Sequence, residues 1–328
     1  MPMKDEDEYR HPSPNPDSGK LWGDTLWVST VDPVANIFGI NHFHLSDQGF
    51  GRFEALYIID GVQQQYGNKF PLTQDPDKGP WSDGVLTYEV VKPQEVIRIK
   101  MDGPRFGFDL TYTGRFPMFD YFDHKDNPFA TFMGGHNEQG MHCTGEFEIR
   151  GGPNKGDVRK IDCYSHRDHS WSYRFAEEPA WEWEIAARKA HFWPSFQSDS
   201  MHLNVHGLLA PPPPGYPELP GDGSGFVSTK EGGTQHIKEA RGQVLLEDDG
   251  RTACNFRYEI VLPNDEMIHI RTGRKYGQVK LWDRAENDLE NRLDCYEPFF
   301  DMEIEETGER GYGVCEYSIY PPVPRWLV

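Results

Sequence analysis

The sequence contains few cysteines, and none of them form a Cys-x-x-Cys pair. The five are Cys143, Cys163, Cys254, Cys295 and Cys315. An odd number at scattered positions argues against a disulfide framework and against a zinc ribbon. No apolar run approaches the roughly 20 residues that a membrane helix needs. The acidic, proline-rich start lacks the apolar stretch of a signal peptide. We therefore expect a cytoplasmic protein without membrane insertion.

Basic residues are also scarce. The chain has 33 lysines and arginines against 53 acidic residues, which gives a net charge of −20. Such a charge would repel nucleic acid, so we expect no nucleic-acid partner, and its ordinary role is solubility. No Gly-x-Gly-x-x-Gly motif follows a strand and no P-loop occurs, so a nucleotide cofactor is not expected. The sequence predicts no cofactor at all.

Aromatic residues and turn formers are abundant. Aromatics make up 13% of the chain, and there are 33 glycines and 26 prolines. Few aliphatics combined with many aromatics and turns favour an all-β protein. Segments such as LWVSTVD and EVIRIKMDGP alternate apolar and polar residues between turns, as half-buried strands do. An antiparallel sheet that curls on itself is an economical way to protect its edges.

The length of 328 residues exceeds one ordinary core. Two successive meanders of similar length indicate two similar β-domains. We predict a flexible N-terminal arm over residues 1–20, a first β-domain over 21–165 and a second over 166–328. The boundary then falls inside the most unusual motif of the chain.

That motif is CYSHRDHSWSYR, residues 163–174. On a strand, His166 and Asp168 share a face while His169 points away, so the three do not converge on one metal ion. We therefore predict no metal site. Ser170 is not part of a Gly-x-Ser-x-Gly elbow, which argues against a serine nucleophile.

The motif can act as a structural latch or as an acid–base centre. Arg167 and Arg174 suit bidentate pairs with carboxylates, which favours a structural role for them. Asp168 is the candidate acid–base residue, because burial beside imidazole and indole rings makes its protonation sensitive to its surroundings. His166 or His169 would set the pKa of Asp168.

Other residues are candidates for the pocket or for its electrostatics. The predicted substrate-binding residues are Trp171, Tyr173, Trp183, His142 and Tyr312. Glu138 and Glu316 are predicted to have structural or electrostatic roles. Glu138 is also a candidate for a second acid–base group, and Glu316 for the partner of an arginine in the motif.

Several segments resemble one protein family. HRDHSWSYR, residues 166–174, resembles the Arg-Asp-His-Ser-Trp signature of the hydroxyneurosporene synthase-like, or carotenoid 1,2-hydratase-like, proteins, in particular a poorly characterised bacterial branch. The segments DTLWVSTVDP, DGPRFGFDLTYTGRFPMFDY, HNEQGMHCTGEF and GYGVCEY are similar too and come in the same order. The resemblance covers nearly the whole chain beyond the arm. Ser172 departs from it, because the family usually has glycine there.

The resemblance implies two consecutive lipocalin-like antiparallel β-barrel domains with an apolar pocket at or near their junction. Relatives include hydratases of carotenoid double bonds and fungal Diels–Alderase-type cyclases, and the aspartate that protonates the alkene in the hydratases corresponds to Asp168. We expect a cofactor-free lyase or isomerase acting on a small apolar terpenoid-, steroid- or polyketide-like substrate. The alternatives are a non-catalytic carrier of a hydrophobic molecule and a structural protein, and a homodimer is left open.

Overall fold

The computed structural model describes residues 3–16, 21–72, 78–123, 133–173, 191–208, 223–283 and 294–319. The chain divides into two compact units. The described residues up to 173 belong to the first unit, and those from 191 onward belong to the second. Each unit is built around one antiparallel sheet.

Eleven strands form the sheet of the first unit. They are β1 (Trp22–Asp32), β2 (Ile37–Ser46), β3 (Phe50–Ile59), β4 (Val62–Pro71), β5 (Trp81–Ser82), β6 (Leu86–Lys92), β7 (Val96–Asp102), β8 (Phe106–Gly114), β9 (Phe119–Asp120), β10 (Met133–Ile149) and β11 (Val158–Tyr173). Short 3-10 helices cover Asp5–Glu8 and Tyr121–Asp123.

The first sheet is curled, so that its two ends approach each other. Its strand order is β4-β3-β2-β1-β11-β10-β8-β7-β6-β5, with β9 paired to β10. On β4, the Tyr66 hydroxyl donates to Asp83 Oδ2 at 2.6 Å, and the Asn68 amide donates to the same oxygen at 3.1 Å. Asp83 follows β5, which is the strand at the opposite end of the order. Side chains therefore link the two sheet edges.

Aromatic rings fill the concave side of the first sheet. Phe106 and Phe147 stack with their centroids 5.6 Å apart, and Tyr57 packs against both of them. The Tyr57 hydroxyl is satisfied inside this core, because it accepts a hydrogen bond from the Asn41 amide at 2.9 Å. A buried phenol needs such a partner to offset the cost of its desolvation. Burial raises the pKa of Tyr57 well above its usual value, so it stays protonated.

Nine strands form the sheet of the second unit. They are β12 (His191–Gln197), β13 (Met201–Leu208), β14 (Ser224–Thr229), β15 (Gly233–His236), β16 (Glu239–Leu246), β17 (Ala253–Val261), β18 (Met267–Asp283), β19 (Asp294–Ile304) and β20 (Arg310–Ile319). Their order is β15-β14-β13-β12-β20-β19-β18-β17-β16.

The second sheet is curled in the same way. After β15, the Ile237 amide donates to Gly225 O on β14 at 3.0 Å. The next amide, of Lys238, donates to Val261 O on β17 at 2.7 Å. Two successive residues thus connect strands near opposite ends of the order. The prediction of an all-β chain with two consecutive lipocalin-like antiparallel domains is confirmed, and each sheet forms a half-barrel.

Two details differ from the sequence-based expectation. The boundary placed between residues 165 and 166 lies inside β11, which pairs with β1 and β10 of the first sheet along its length. The N-terminal arm was expected to be flexible, but Glu8 is 1% exposed and accepts hydrogen bonds from the Gln94 amide and from Arg167 on β11. The reason is charge pairing between the arm and β11, which composition alone does not reveal.

Two other expectations concern cysteines and membranes. All five cysteines lie in the described ranges, and none of them forms a disulfide bond there. Within the described ranges, no helix has the length and the apolar character needed to cross a bilayer.

Gly39 provides a test of the packing on β2. A Cβ added there would lie 2.4 Å from the Tyr57 ring and 2.6 Å from Leu56 O. We expect Gly39→Ala to lower the free energy of unfolding by about 1–3 kcal/mol, measured by urea denaturation, because the ring must move within a filled core. Gly67→Ala is the matched control, since its nearest neighbour would lie at 3.7 Å. Equal stability of the two variants would contradict this packing.

Candidate active site

The pairing of β10 with β11 sets the positions of the motif residues from Cys163 to Ser172. Glu138 lies opposite Asp168, and Gln139 lies opposite Arg167. Because side chains alternate along a strand, the motif is divided between the two faces of the sheet. Asp168 is on one face, and Arg167 and His169 are on the other.

Four side chains meet on the face that carries Asp168. They are His136, Glu138, His166 and Asp168, and we call them the acid–base cluster. His136 Nε2 lies 2.6 Å from Glu138 Oε1, and His166 Nε2 bonds the other oxygen, Oε2. One nitrogen of His136 and one carboxylate oxygen each of Glu138 and Asp168 all lie within 4.8 Å of one another. Two carboxylates and two imidazoles therefore share one small volume.

The acid–base cluster is buried, and its members differ in exposure. Glu138 is fully buried at 0%, His166 is 2% exposed and His136 is 4% exposed, whereas Asp168 reaches 8%. Glu138 uses both of its oxygens on imidazoles, so it is held between two rings. Of the two acidic residues, Asp168 is thus the less deeply buried.

Aromatic side chains border the acid–base cluster. The centroids of the Tyr121 and His136 rings lie 5.1 Å apart, and those of the Trp27 and His166 rings lie 5.9 Å apart in an edge-to-face arrangement. Burial and then the negative charges of Glu138 and Asp168 raise the pKa of Tyr121 well above its usual value. Tyr121 is therefore a neutral phenol next to the charged groups. Aromatic faces at such a position can also stabilise a developing positive charge.

The cluster can give and take protons, and its donor atoms could also hold a cation. His136, Glu138 and Asp168 offer nitrogen and oxygen ligands within the spacing of a metal site. Within the described ranges, two more groups have such spacing, one of His11, Asp24 and His169 and one in the second unit. The sequence predicted no metal, and this stays a prediction.

On the opposite face, Arg167 fastens the N-terminal arm to β11. Its two terminal nitrogens donate to the two carboxylate oxygens of Glu8 at 2.9 and 2.8 Å. Its Nε donates to Gln139 Oε1 at 2.9 Å. Burial alone would lower the pKa of Arg167, but the charge of Glu8 raises it, so the guanidinium remains charged. Such bidentate pairing is the strongest form of a buried ion pair.

His169 belongs to a second polar group on this face. Its Nε2 lies 3.0 Å from Asp24 Oδ1, and His11 Nδ1 lies 2.7 Å from the same oxygen. Burial alone would raise the pKa of Asp24, but the hydrogen bonds with His11 and His169 lower it. Burial lowers the pKa of His169. The hydrogen bond and the negative charge of Asp24 raise this pKa, but they offset the effect of burial only in part. His169 is therefore a neutral hydrogen-bond partner of Asp24. It lies on the opposite face of the sheet from Asp168, whereas a catalytic partner would lie on the same face.

The predicted pocket residues are dispersed. Trp171 stacks on the ring of His11, with centroids 3.5 Å apart, so the arm covers it. Tyr173 packs against the edge of Trp22. His142 forms an exposed pair with Asp162 at 2.7 Å.

Two further predicted residues lie in the second unit. Tyr312 lies on β20, opposite Gln197 of β12 on one side and Asp301 of β19 on the other in the strand register. Glu316 bonds His191 at 2.7 Å, whereas its expected partner was an arginine of the motif. Arg167 is paired with Glu8 instead, and Arg174 and Trp183 lie outside the described residues.

Sequence reasoning gave no catalytic role to His136 and no role at all to Glu8, His11 or Asp24. His136 and Glu138 are two positions apart, so alternation puts them on one face once it is known that both lie on β10. The arm residues have no local signal. Glu8 bonds Arg167 across 159 positions, and Asp24 bonds His169 across 145 positions.

Comparison with known proteins identifies the family. Residues 4–321 match the model described as "Domain of unknown function (DUF7064)". The chain belongs to this family. The match spans described residues of both units, so the family is defined by the two sheets together. No curated protein matches the sequence.

Solved structures show where the fold occurs elsewhere. Kievitone hydratase from Nectria haematococca is 14% identical with a TM-score of 0.54, over 97% of this chain and 93% of that one. CghA with Sch210972 is 12% identical with a TM-score of 0.59, over 91% and 88% of the two chains. CghA also matches in a second structure, at 10% identity and a TM-score of 0.57, over 91% and 87%. These likenesses show that the DUF7064 chain shares their fold, and the resemblance to hydroxyneurosporene synthases stays a prediction.

The pairing of the arm with β11 is tested by Glu8→Ala. We expect a loss of about 3–5 kcal/mol in the free energy of unfolding, because the change leaves the Arg167 guanidinium buried without its counter-charge. Urea denaturation measures this loss. Glu6→Ala, an exposed position in the same 3-10 helix, is the control and should change stability little. A Glu8 variant as stable as the control would show that the arm is not fastened this way.

The environment of His169 predicts a dependence of stability on pH. The folded protein holds the pKa of His169 below 6.5, the value expected after unfolding. As pH falls below 6.5 the unfolded chain takes up a proton that the folded chain does not, so stability falls, by at most about 1.4 kcal/mol per pH unit. Urea denaturation between pH 7 and 5 should show a shallower slope for His169→Gln than for the wild type. Equal slopes would contradict the assignment.

Proposed function

We propose that this protein is a lyase or isomerase that needs no cofactor and acts on an apolar substrate through proton transfer at the acid–base cluster. One observation carries the proposal, namely the side-by-side placement of two buried carboxyl groups, Glu138 and Asp168, between two imidazoles. Burial of ionisable groups in such number is costly for stability. Sites where that cost is tolerated are commonly sites of function.

Asp168 is the group that exchanges a proton with the substrate. It is the more exposed of the two carboxyl groups, and it stands opposite Glu138 in the strand register. Glu138 acts by positioning, because it holds His136 and His166 through one oxygen each. The rings of Tyr121 and Trp27 supply an aromatic border that suits an apolar substrate.

A hydration would proceed in two proton steps. The carboxylic acid of Asp168 gives its proton to one carbon of a double bond, and positive charge develops on the other carbon. Water adds to that carbon and loses a proton to an imidazole of the cluster, which returns it to Asp168. Dehydration is the same sequence in reverse, and an isomerase would remove a proton from carbon in place of adding water.

The comparisons support a reaction of this class through the fold. One structural neighbour is by name a hydratase, and one crystal structure of CghA is with Sch210972. The resemblance of HRDHSWSYR to the carotenoid hydratase-like proteins suggests terpenoid-, steroid- or polyketide-like substrates. A small apolar molecule is thus the partner we propose.

The first experiment is native mass spectrometry of the purified protein, followed by denaturing extraction of any bound molecule. That molecule, or a related alkene, is then incubated with the protein in deuterated water, and deuterium incorporation at carbon is followed by mass spectrometry. Asp168→Asn should lower the rate by about 10²–10⁴-fold while the circular dichroism spectrum is unchanged.

Asp162→Asn is the matched control, because Asp162 lies on the same strand and face but is 79% exposed. Its rate should equal that of the wild type. A bound apolar molecule that undergoes no exchange, with equal binding by both variants, would instead establish the alternative, a non-catalytic carrier.

A further inference from the structure

A second group of reactive side chains lies in the second unit. It consists of His191 on β12, Cys295 on β19 and Glu316 on β20, and we call it the His–Cys–Glu cluster. None of these strands contributes to the acid–base cluster, which belongs to the first sheet. The proton chemistry proposed above therefore makes no use of these residues.

The strand register brings the three side chains together. β20 lies between β12 and β19, and Ser318 on β20 pairs with His191 on one side and with Cys295 on the other. Glu316 comes two residues before Ser318, so it points to the same face of the sheet. Three neighbouring strands thus each place one potential metal ligand on one patch.

The distances within the cluster are those of a small polar site. His191 Nε2 lies 2.7 Å from Glu316 Oε1. One potential metal-ligand atom from each of the three residues lies within 4.8 Å of the other two. Cys295 is 0% exposed, Glu316 is 8% exposed and the side chain of His191 is 16% exposed. The cluster is therefore largely buried, and His191 is its most exposed member.

Ser318 orients the imidazole. Its Oγ lies 2.5 Å from His191 Nδ1 and also accepts from the His191 backbone amide at 3.3 Å. A metal-binding histidine commonly uses its second ring nitrogen in such a bond, which fixes the ring and directs the other nitrogen at the metal. Here that other nitrogen is Nε2, which faces Glu316.

We propose that His191, Cys295 and Glu316 form a binding site for a divalent transition-metal ion, with zinc as the preferred ion. Imidazole, thiolate and carboxylate are the ligands that zinc takes in proteins, and three of them leave a fourth position of the tetrahedron open. Binding displaces the proton of the thiol to solvent. A thiolate, a carboxylate and a neutral imidazole carry two negative charges, which a divalent ion neutralises.

The neighbourhood of the cluster supports this site. The ring of His206 on β13 lies next to that of His191, with centroids 5.5 Å apart, so a further imidazole borders the cluster. Within the described ranges, the ion pair of Glu316 is with His191. Among the residues that the structure describes, no lysine or arginine is paired with this carboxylate, so a metal ion would supply the positive charge.

The other face of the same strands provides the matched control. Cys315 is adjacent to Glu316 in sequence but belongs to the apolar core with Phe192 and Tyr317. Burial raises the pKa of the Cys315 thiol to about 12, and it contacts the sulfur of Met302. Cys295 and Cys315 are thus two buried thiols in one sheet, only one of which belongs to the cluster.

The test is a titration of the reduced, chelator-treated full chain with cobalt(II). Cobalt bound to a thiolate absorbs in the near ultraviolet, whereas cobalt bound only by nitrogen and oxygen does not. This band separates the site from the other groups with metal-ligand spacing, since neither His11, Asp24 and His169 nor His136, Glu138 and Asp168 include a cysteine. We expect the band to saturate at one equivalent and to be abolished by zinc.

Variants assign the band to residues. Cys295→Ser should abolish it, while Cys315→Ser should retain it. His191→Gln and Glu316→Gln should weaken zinc binding on the order of 100-fold or more in competition with a chromophoric chelator. Circular dichroism verifies that each variant is folded, and the two polar substitutions keep the test valid if Cys295→Ser does not fold.

Three outcomes would overturn the proposal. They are the absence of a thiolate band in the wild type, its retention in Cys295→Ser, and its equal loss in Cys315→Ser. All are readable without any enzymatic assay, so they leave the proposed acid–base function to its own test.

Discussion

The antiparallel register between β10 and β11 is the constraint on which the arrangement of the first unit depends. These are the longest strands of the first sheet, with 17 and 16 residues, and they lie near its centre. A shift by one residue would exchange the two faces of β11. Asp168 would then meet the arm, and Arg167 would lie beside Glu138. The same pairing therefore fixes both the acid–base cluster and the attachment of the arm.

From Ser165 to Ser170 both faces of β11 are buried, and this explains why the polar residues of that stretch are paired so thoroughly. An ionised group in a protein interior needs a counter-charge or hydrogen bonds to offset the loss of water. Arg167 has Glu8 and Gln139 on one face. Glu138 has two imidazoles on the other face. A stretch with one solvent-exposed face would need only one of these two sets of partners.

The sequence was most informative where chemistry and periodicity are local. Alternation along short segments predicted strands and the all-β class, and the position of Asp168 relative to His166 followed from the strand period alone. Alternation also separated His169 from that face, but its partner Asp24 lies 145 residues away. Glu316 shows the same limit, because its partner His191 lies on β12, 125 residues earlier. Nothing in either sequence neighbourhood encodes such pairings.

What the sequence by itself determined is the type of each element: short alternating strands, two curled sheets, and a motif whose carboxylate and imidazole share a face. Period and composition suffice for this because they act between neighbours in the chain. Only the tertiary structure decided which strands pair, and therefore which polar side chains come into contact. The N-terminal arm docks because Arg167 must be neutralised, and His191, Cys295 and Glu316 converge because β20 lies between β12 and β19. Both depend on contacts between residues far apart in sequence, whose formation is a property of the folded chain as a whole.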